Sequence, residues 1–254
     1  MLNQLNSFII NERFRFQTED DNKFAITFSE MSLYLQYLYI ILDEYSKYSD
    51  EFVKNTKELQ GTLRDGANAV TPEQNELFTR SREITTHLHF EIESFHLFAK
   101  ILLDKIAVAL EFYFGSTRGL SLVSHDKLEK NIESYVKAKG LKITSELLED
   151  IKSLKLDVSD FRDYQIQHIP PAKRNRITRA TMYDSEGNTS LSVSTLYPKD
   201  GERQKDSRKL KELISEIEKY IENIINFVKE NGGKTSLALE DSNKTELMRK
   251  ALGI

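Results

Sequence analysis

The chain contains no cysteine, which excludes a disulfide framework and any thiolate metal site. That fits a reducing compartment, and the cytoplasm is the expected location. Chain breakers are scarce too: four prolines and ten glycines in 254 residues favour long helices over a many-turned β architecture. Residues 1–16 lack the basic region, apolar run and small-residue cleavage site of a secretory signal. A long uninterrupted hydrophobic run is also missing. The most apolar stretch, residues 97–114, is broken by Lys100, Asp104, Lys105 and Glu111, which makes a poor membrane span, so no membrane partner is expected. Nor is there an excess of positive charge. The net charge of -4 argues against bulk, sequence-independent coating of nucleic acid but leaves room for a local basic site.

What the chain does have is helical periodicity. Charged residues make up 30% and the mean hydropathy is -0.50, as in a soluble protein with solvated helix faces. Residues 1–21 are mixed and end in a loop and helix start. Phe24, Phe28, Met31, Leu35, Leu38 and Leu42 then recur at helical spacing and predict a helix from about residue 22 to 59. Thr71-Pro72-Glu73 is a strong start signal, with a capping hydroxyl, proline at the first helical position and an acid at the positive dipole end. Little interrupts the helix that follows until Gly115, although about 43 residues is long enough that a bend or split near residues 81–86 is an alternative. A third helix spans about 124–139 and stops at Gly140. A fourth opens at Thr144 and ends before Pro170.

The character changes after that. Leu191, Val193, Thr195 and Tyr197 alternate with Ser190, Ser192, Ser194 and Leu196, the two-residue period of a strand. Residues 177–183 can pair with them across the turn-rich Asp184-Ser185-Glu186-Gly187-Asn188. The last helix carries Leu210, Ile214, Ile217, Ile221, Ile224 and Val228 at steps of four and three, widened by Leu213, Tyr220, Ile225 and Phe227, and so packs inside a bundle. The expected fold is an all-α, up-and-down bundle of about five helices with a β-hairpin inserted at about 177–197. Residues 1–231 form a single domain in this reading, and 232–254 a flexible tail. The aromatics Phe28, Tyr34, Tyr37 and Tyr39 read as core and interface.

Candidate chemistry concentrates in Phe161-Arg162-Asp163-Tyr164-Gln165-Ile166-Gln167-His168-Ile169-Pro170. A guanidinium binds phosphate, and a histidine titrating near neutrality moves a proton. Lys173, Arg174, Arg176 and Arg179 follow with no acid among residues 173–179. This basic cluster can track a nucleic-acid backbone, with Tyr183 or Tyr197 offering a stacking face; equally, it can be an ordinary charged strand edge. Residues six apart on an ideal helix differ by about 120° in direction, so Arg162 and His168 do not converge on one face. Pro170 disfavours helical geometry at Ile169 and frees His168 from the helical direction. The bland alternative is that Arg162 and Asp163 form surface ion pairs while His168 ends a helix.

Arg162 followed by the polar Asp163 and, after five intervening residues, His168 resembles the arginine-to-histidine motif of the HEPN superfamily, α-helical bundle proteins many of which are metal-independent ribonucleases. The run Glu93-Ser94-Phe95-His96 to Asp104 also resembles the central helix of bacterial HEPN-like proteins. The resemblance spans about residues 24–230 in helix order. It implies a cytoplasmic homodimer with the site built across the two copies, no cofactor, and an endoribonuclease in a toxin or defence role, with an antitoxin or other protein as a further partner. His168 would deprotonate the ribose 2′-hydroxyl or protonate the leaving 5′-oxygen. Arg162 would stabilise charge on the phosphate, and Asp163 would orient one of them. The alternative is a non-catalytic module of the same fold that binds nucleic acid or a protein partner.

Arg82, Thr86, His89, Glu93, His96, Lys100, Asp104 and Glu111 lie along one stripe of the long helix. The stripe faces solvent or a polar cavity; in the second case Glu93, His96, Lys100 and Asp104 are a supporting shell for the Arg162/His168 site. Glu93 and His96 make one Glu-x-x-His pair. A carboxylate di-iron bundle needs a second, and the sequence has none, so no metal is expected.

Overall fold

The computed structural model describes residues 1–62, 70–160, 177–183, 189–195 and 210–240, the two short middle stretches by their backbone alone. The protein is an all-α helical bundle. Six α-helices are described: α1 (Leu2–Arg13), α2 (Thr18–Thr62), α3 (Pro72–Phe114), α4 (His125–Lys139), α5 (Ser145–Leu154) and α6 (Leu210–Glu230); a π-helical stretch, Lys155–Asp160, continues α5.

The helix boundaries follow their capping chemistry. At the start of α3 the Gln74 N–H donates to Thr71 Oγ1 at 3.2 Å, and the Thr71 N–H donates to Gln74 Oε1 at 2.9 Å. This reciprocal box satisfies two otherwise orphaned donors. The Gln74 amide also donates to the Thr62 carbonyl at 2.9 Å, tying the end of α2 to the start of α3. The long helix α3 runs unbroken for 43 residues. Ser124 Oγ caps α4 by accepting from the Lys127 N–H, and Gly140 ends it in the left-handed region at φ 64°, where a Cβ would be strained. Thr144 caps α5 in the same way, through the Leu147 N–H.

Two parts of the sequence reading change. The mixed N-terminus is a helix, α1, whose Leu5, Phe8, Ile9 and Glu12 form its buried face; these recur at the i, i+3, i+4, i+7 spacing of a core-facing stripe. Six α-helices stand among the described residues where about five were expected in the chain. Residues 235–240, expected within a flexible tail, pair with the chain around Phe16. The Gln17 N–H donates to the Ala238 carbonyl at 2.9 Å and the Glu240 N–H to the Arg15 carbonyl at 2.8 Å. Residues 241–254 lie outside the described residues.

The chain divides into two compact units: Met1–Leu38, Leu97–Phe161 and Ile214–Ile254 form one, and Tyr39–His96 with Arg162–Leu213 the other. In the first unit Phe8, Phe24, Phe28 and Tyr113 are buried, and Phe24 stacks on Phe28 at 4.3 Å between ring centroids. Tyr113 donates to Glu12 Oε1 at 2.5 Å. Arg15 reaches the same Glu12 carboxylate and the Gly232 carbonyl, joining α1, α3 and the end of α6. In the second unit the later half of α2 lies along the earlier half of α3. Asn55, fully buried, donates to the Leu77 carbonyl at 3.1 Å, and Arg80 pairs with Glu51 at 2.9 Å.

The expected seam of α6 is buried along its length, from Leu210 through Ile214, Ile217, Ile221 and Ile224 to Val228. It is therefore satisfied within the chain. Helix α2 is long and apolar enough to cross a membrane by length and composition, with a mean hydropathy of 1.2 over its most apolar window. Core helices share that property, and its Phe24, Phe28, Met31, Leu35 and Leu38 are fully buried.

Candidate functional site

The polar stripe of α3 divides along its length. Arg82, Thr86 and Glu93 are exposed, as a solvated face requires. His96 is buried, and its Nδ1–H donates to the Ile92 carbonyl at 2.8 Å. That bond fixes the tautomer. Burial outweighs the bond and lowers its pKa to about 4, so the imidazole is neutral.

One turn further, the stripe meets α4. Lys100 is only 2% exposed, yet its ammonium lies 3.1 Å from Asp104 Oδ1 and 3.0 Å from Asp126 Oδ2. Asp104 Oδ1 also accepts the His125 backbone N–H at 2.7 Å. A carboxylate there satisfies an orphan donor and sits at the positive end of the α4 dipole. Asp126 lies in the first turn of the same helix. Two part-exposed carboxylates thus compensate one buried ammonium, and the whole cluster pins the start of α4 to α3. Farther along, Glu111 Oε2 accepts the Leu122 N–H at 2.7 Å and fixes the loop before α4.

Beside the cluster lies a residue that sequence reasoning missed. His125 is fully buried, and neither ring nitrogen has a hydrogen-bond partner among the described residues. Its ring meets Tyr220 of α6 edge-on at 5.8 Å, and the buried Tyr220 hydroxyl likewise has no partner among the described residues. Burial first, then the nearby Lys100 ammonium, lowers the His125 pKa to about 3. Such an imidazole holds no proton at neutral pH and cannot serve there as a general acid. The available signal was Ser124-His125-Asp126 at a capped helix start, since the first turn of a helix packed on a polar stripe must find partners for its N–H groups.

Of the expected supporting shell, the structure brings Lys100 and Asp104 together, buries His96, and exposes Glu93. Arg162, Asp163, His168, Lys173, Arg174 and Arg176 lie outside the described residues, and Arg179 is described by its backbone alone.

Comparison with known proteins decides nothing further. No family model, curated protein or solved structure matches this chain.

In the second unit a hollow of about 510 Å³ opens between α2 and α3, lined by Tyr48, Glu51, Glu76, Arg80, Glu83 and His87. Tyr48 and His87 stack in parallel there at 4.3 Å. Three carboxylates against one guanidinium give this hollow a field that repels phosphate, so an RNA strand has no reason to enter it.

Proposed function

We propose that this protein is a HEPN-like, metal-independent endoribonuclease that cleaves RNA through attack of the ribose 2′-hydroxyl. The observation that carries the reading is the continuity of the chain into the motif. The π-helical stretch at the end of α5 runs directly into Phe161-Arg162-Asp163, and Leu154, Val158 and Ser159 just before the motif are buried. Helical turns with an extra residue shift the phase of everything that follows and recur at functional sites.

In this reading Arg162 binds the scissile phosphate and stabilises the charge that develops on it. His168 takes the 2′-hydroxyl proton or returns one to the 5′-oxygen, and Asp163 orients one of the two. Lys173, Arg174, Arg176 and Arg179 follow the backbone of the strand. The inserted hairpin belongs to the same proposal. Antiparallel pairing of β1 (Ile177–Tyr183) with β2 (Thr189–Thr195), with Ile177 opposite Thr195, supports it, and in this reading Arg179 belongs to a strand that begins just past the motif. A site shared between two copies, a cytoplasmic location and a toxin or defence role with a protein antidote complete the reading.

The experiment uses single-stranded RNA incubated with the full chain in EDTA. Fragments ending in 2′,3′-cyclic phosphate are expected, and a 2′-deoxy nucleotide at the cleaved position should stop the reaction. Salt-sensitive binding of RNA without cleavage would point instead to the non-catalytic module.

A further inference from the structure

We propose that the acidic groove between α2 and α3 in the second unit binds a linear polyamine, a chain of ammonium groups spaced by short methylene runs. A second hollow of about 530 Å³, lined by Glu58, Glu73, Glu76, Leu77 and Arg80, adjoins the one that holds Tyr48 and His87. Glu76 and Arg80 line both, which makes the two hollows one groove. Each half has the volume of a small-molecule site. The lining carries five carboxylates, those of Glu51, Glu58, Glu73, Glu76 and Glu83, against the single Arg80 guanidinium. Arg80 is already engaged, 2.9 Å from Glu51 and 3.7 Å from Glu58. Glu73, Glu76 and Glu83 are exposed and form no ion pair among the described residues. The floor carries an unmet acceptor as well. Asn55 stands one helical turn from both Glu51 and Glu58 and donates to the carbonyl of Leu77, a wall residue. Its fully buried Oδ1 has no partner among the described residues, so an N–H donor suits this site.

Helical spacing sets the shape of the ligand. The two helices run antiparallel, since Thr62 meets Gln74 near one end of the groove and Tyr48 stacks on His87 at the other. Glu51 and Glu58 on α2, and Glu76 and Glu83 on α3, are each seven residues apart. Each helix therefore presents two carboxylates on one face about 10 Å apart. Glu58 with Glu76 marks one end, Glu83 with Glu51 the other, and Leu77 and Ile84 supply apolar wall between them. An extended triamine such as spermidine holds its terminal nitrogens about 11 Å apart. Its ammonium groups match the two acidic ends, and its methylenes match the apolar wall. A divalent metal ion needs oxygens that converge on one point, and no such group of side chains exists among the described residues. Carboxylates spread along a groove suit charges spread along a chain. Binding here does not depend on cleavage by Arg162 and His168.

Calorimetric titration of the full chain with spermidine tests this directly. One saturable site is expected at low ionic strength, with a dissociation constant on the order of 10⁻⁴ M, and added salt should weaken it because the groove is open to solvent. Replacing Glu76→Gln and Glu83→Gln together should raise the constant at least about tenfold while keeping the helical circular dichroism of the parent. Glu19→Gln, at the exposed start of α2, should leave it unchanged. If the double variant loses its helical signal, Glu58→Gln takes its place. 1,3-Diaminopropane, too short to span the two acidic ends, should bind at least about tenfold more weakly than spermidine. Absence of saturable binding overturns the proposal, and so does an affinity that the glutamine variants leave unchanged. Tighter binding of a lysine-bearing hexapeptide than of spermidine also overturns it and would assign the groove to a basic protein segment.

Discussion

His96 and His125 spend neutral pH uncharged because burial disfavours the imidazolium more than any neighbour favours it. The sign of the consequence follows from linkage. Folded, the two rings take up protons only near pH 4 and pH 3, from a reference of 6.5. Unfolded, they do so near 6.5. Below pH 6.5 the unfolded chain binds more protons, and stability falls by about 1.4 kcal/mol per pH unit for each histidine. Urea unfolding at pH 5 should therefore show uptake of about two protons from this pair. His125→Phe should flatten the dependence by about one proton and be at least as stable as the parent at pH 7.5, since it removes two buried nitrogens with no partner among the described residues. Lys100 behaves in the opposite way. Lys100→Met leaves Asp104 and Asp126 facing each other without their cation and should lower stability by about 2 kcal/mol, less than for a fully buried pair because both carboxylates are partly exposed. Chemical denaturation of the two variants side by side separates these effects.

Helix ends are where local chemistry and sequence agree best in this chain. Thr71, Ser124 and Thr144 each cap the helix that follows, and Gly140 stops α4, all at positions where the sequence places a helix end, with Thr71 the strongest of these signals. Ser124→Ala should cost about 1 kcal/mol, and Gly140→Ala about as much through its left-handed backbone. Gly115→Ala should be worse than either, because an added Cβ there would also lie 2.9 Å from the Ser236 Cβ; thermal melts rank the three. Helix α1 was less legible, since its Leu5, Phe8, Ile9 and Glu12 face is only two turns long and includes a carboxylate whose partners, Arg15 and Tyr113, are remote or outside the helix. The Lys100 cluster was half legible. Lys100 and Asp104 share a helix face at i, i+4, but Asp126 and His125 join them only because the loop fixed by Glu111 turns α4 back onto α3. Such a return is a property of tertiary packing and leaves no local pattern.

At the scale of the whole molecule, the C-terminal stretch closes the first unit. Ser236 donates its N–H to the Tyr113 carbonyl at 2.9 Å, and the Ala238 N–H donates to Asp20 at 2.7 Å. Ending the chain after Lys234 removes these bonds together with the pairing around Phe16, and should lower the melting temperature by several degrees. This pairing escaped sequence reading because backbone groups make it, so the side chains of residues 235–240 advertise little. The proposed catalytic motif has the reverse character, recognisable as a string of residues but dependent on a geometry that no periodicity supplies. Residues six apart stand about 120° apart on an ideal helix, so the proposed cooperation of Arg162 and His168 calls for the helix end that the sequence predicts before Pro170 or for a second copy of the chain. The direct measurement is the rate of single-stranded RNA cleavage in EDTA by the parent, Arg162→Ala and His168→Ala, with helical content checked for each. Cleavage by the parent to 2′,3′-cyclic phosphate ends, with a loss of at least about 100-fold in both variants, is the predicted result. No cleavage by the parent, or equal rates in all three proteins, would contradict it.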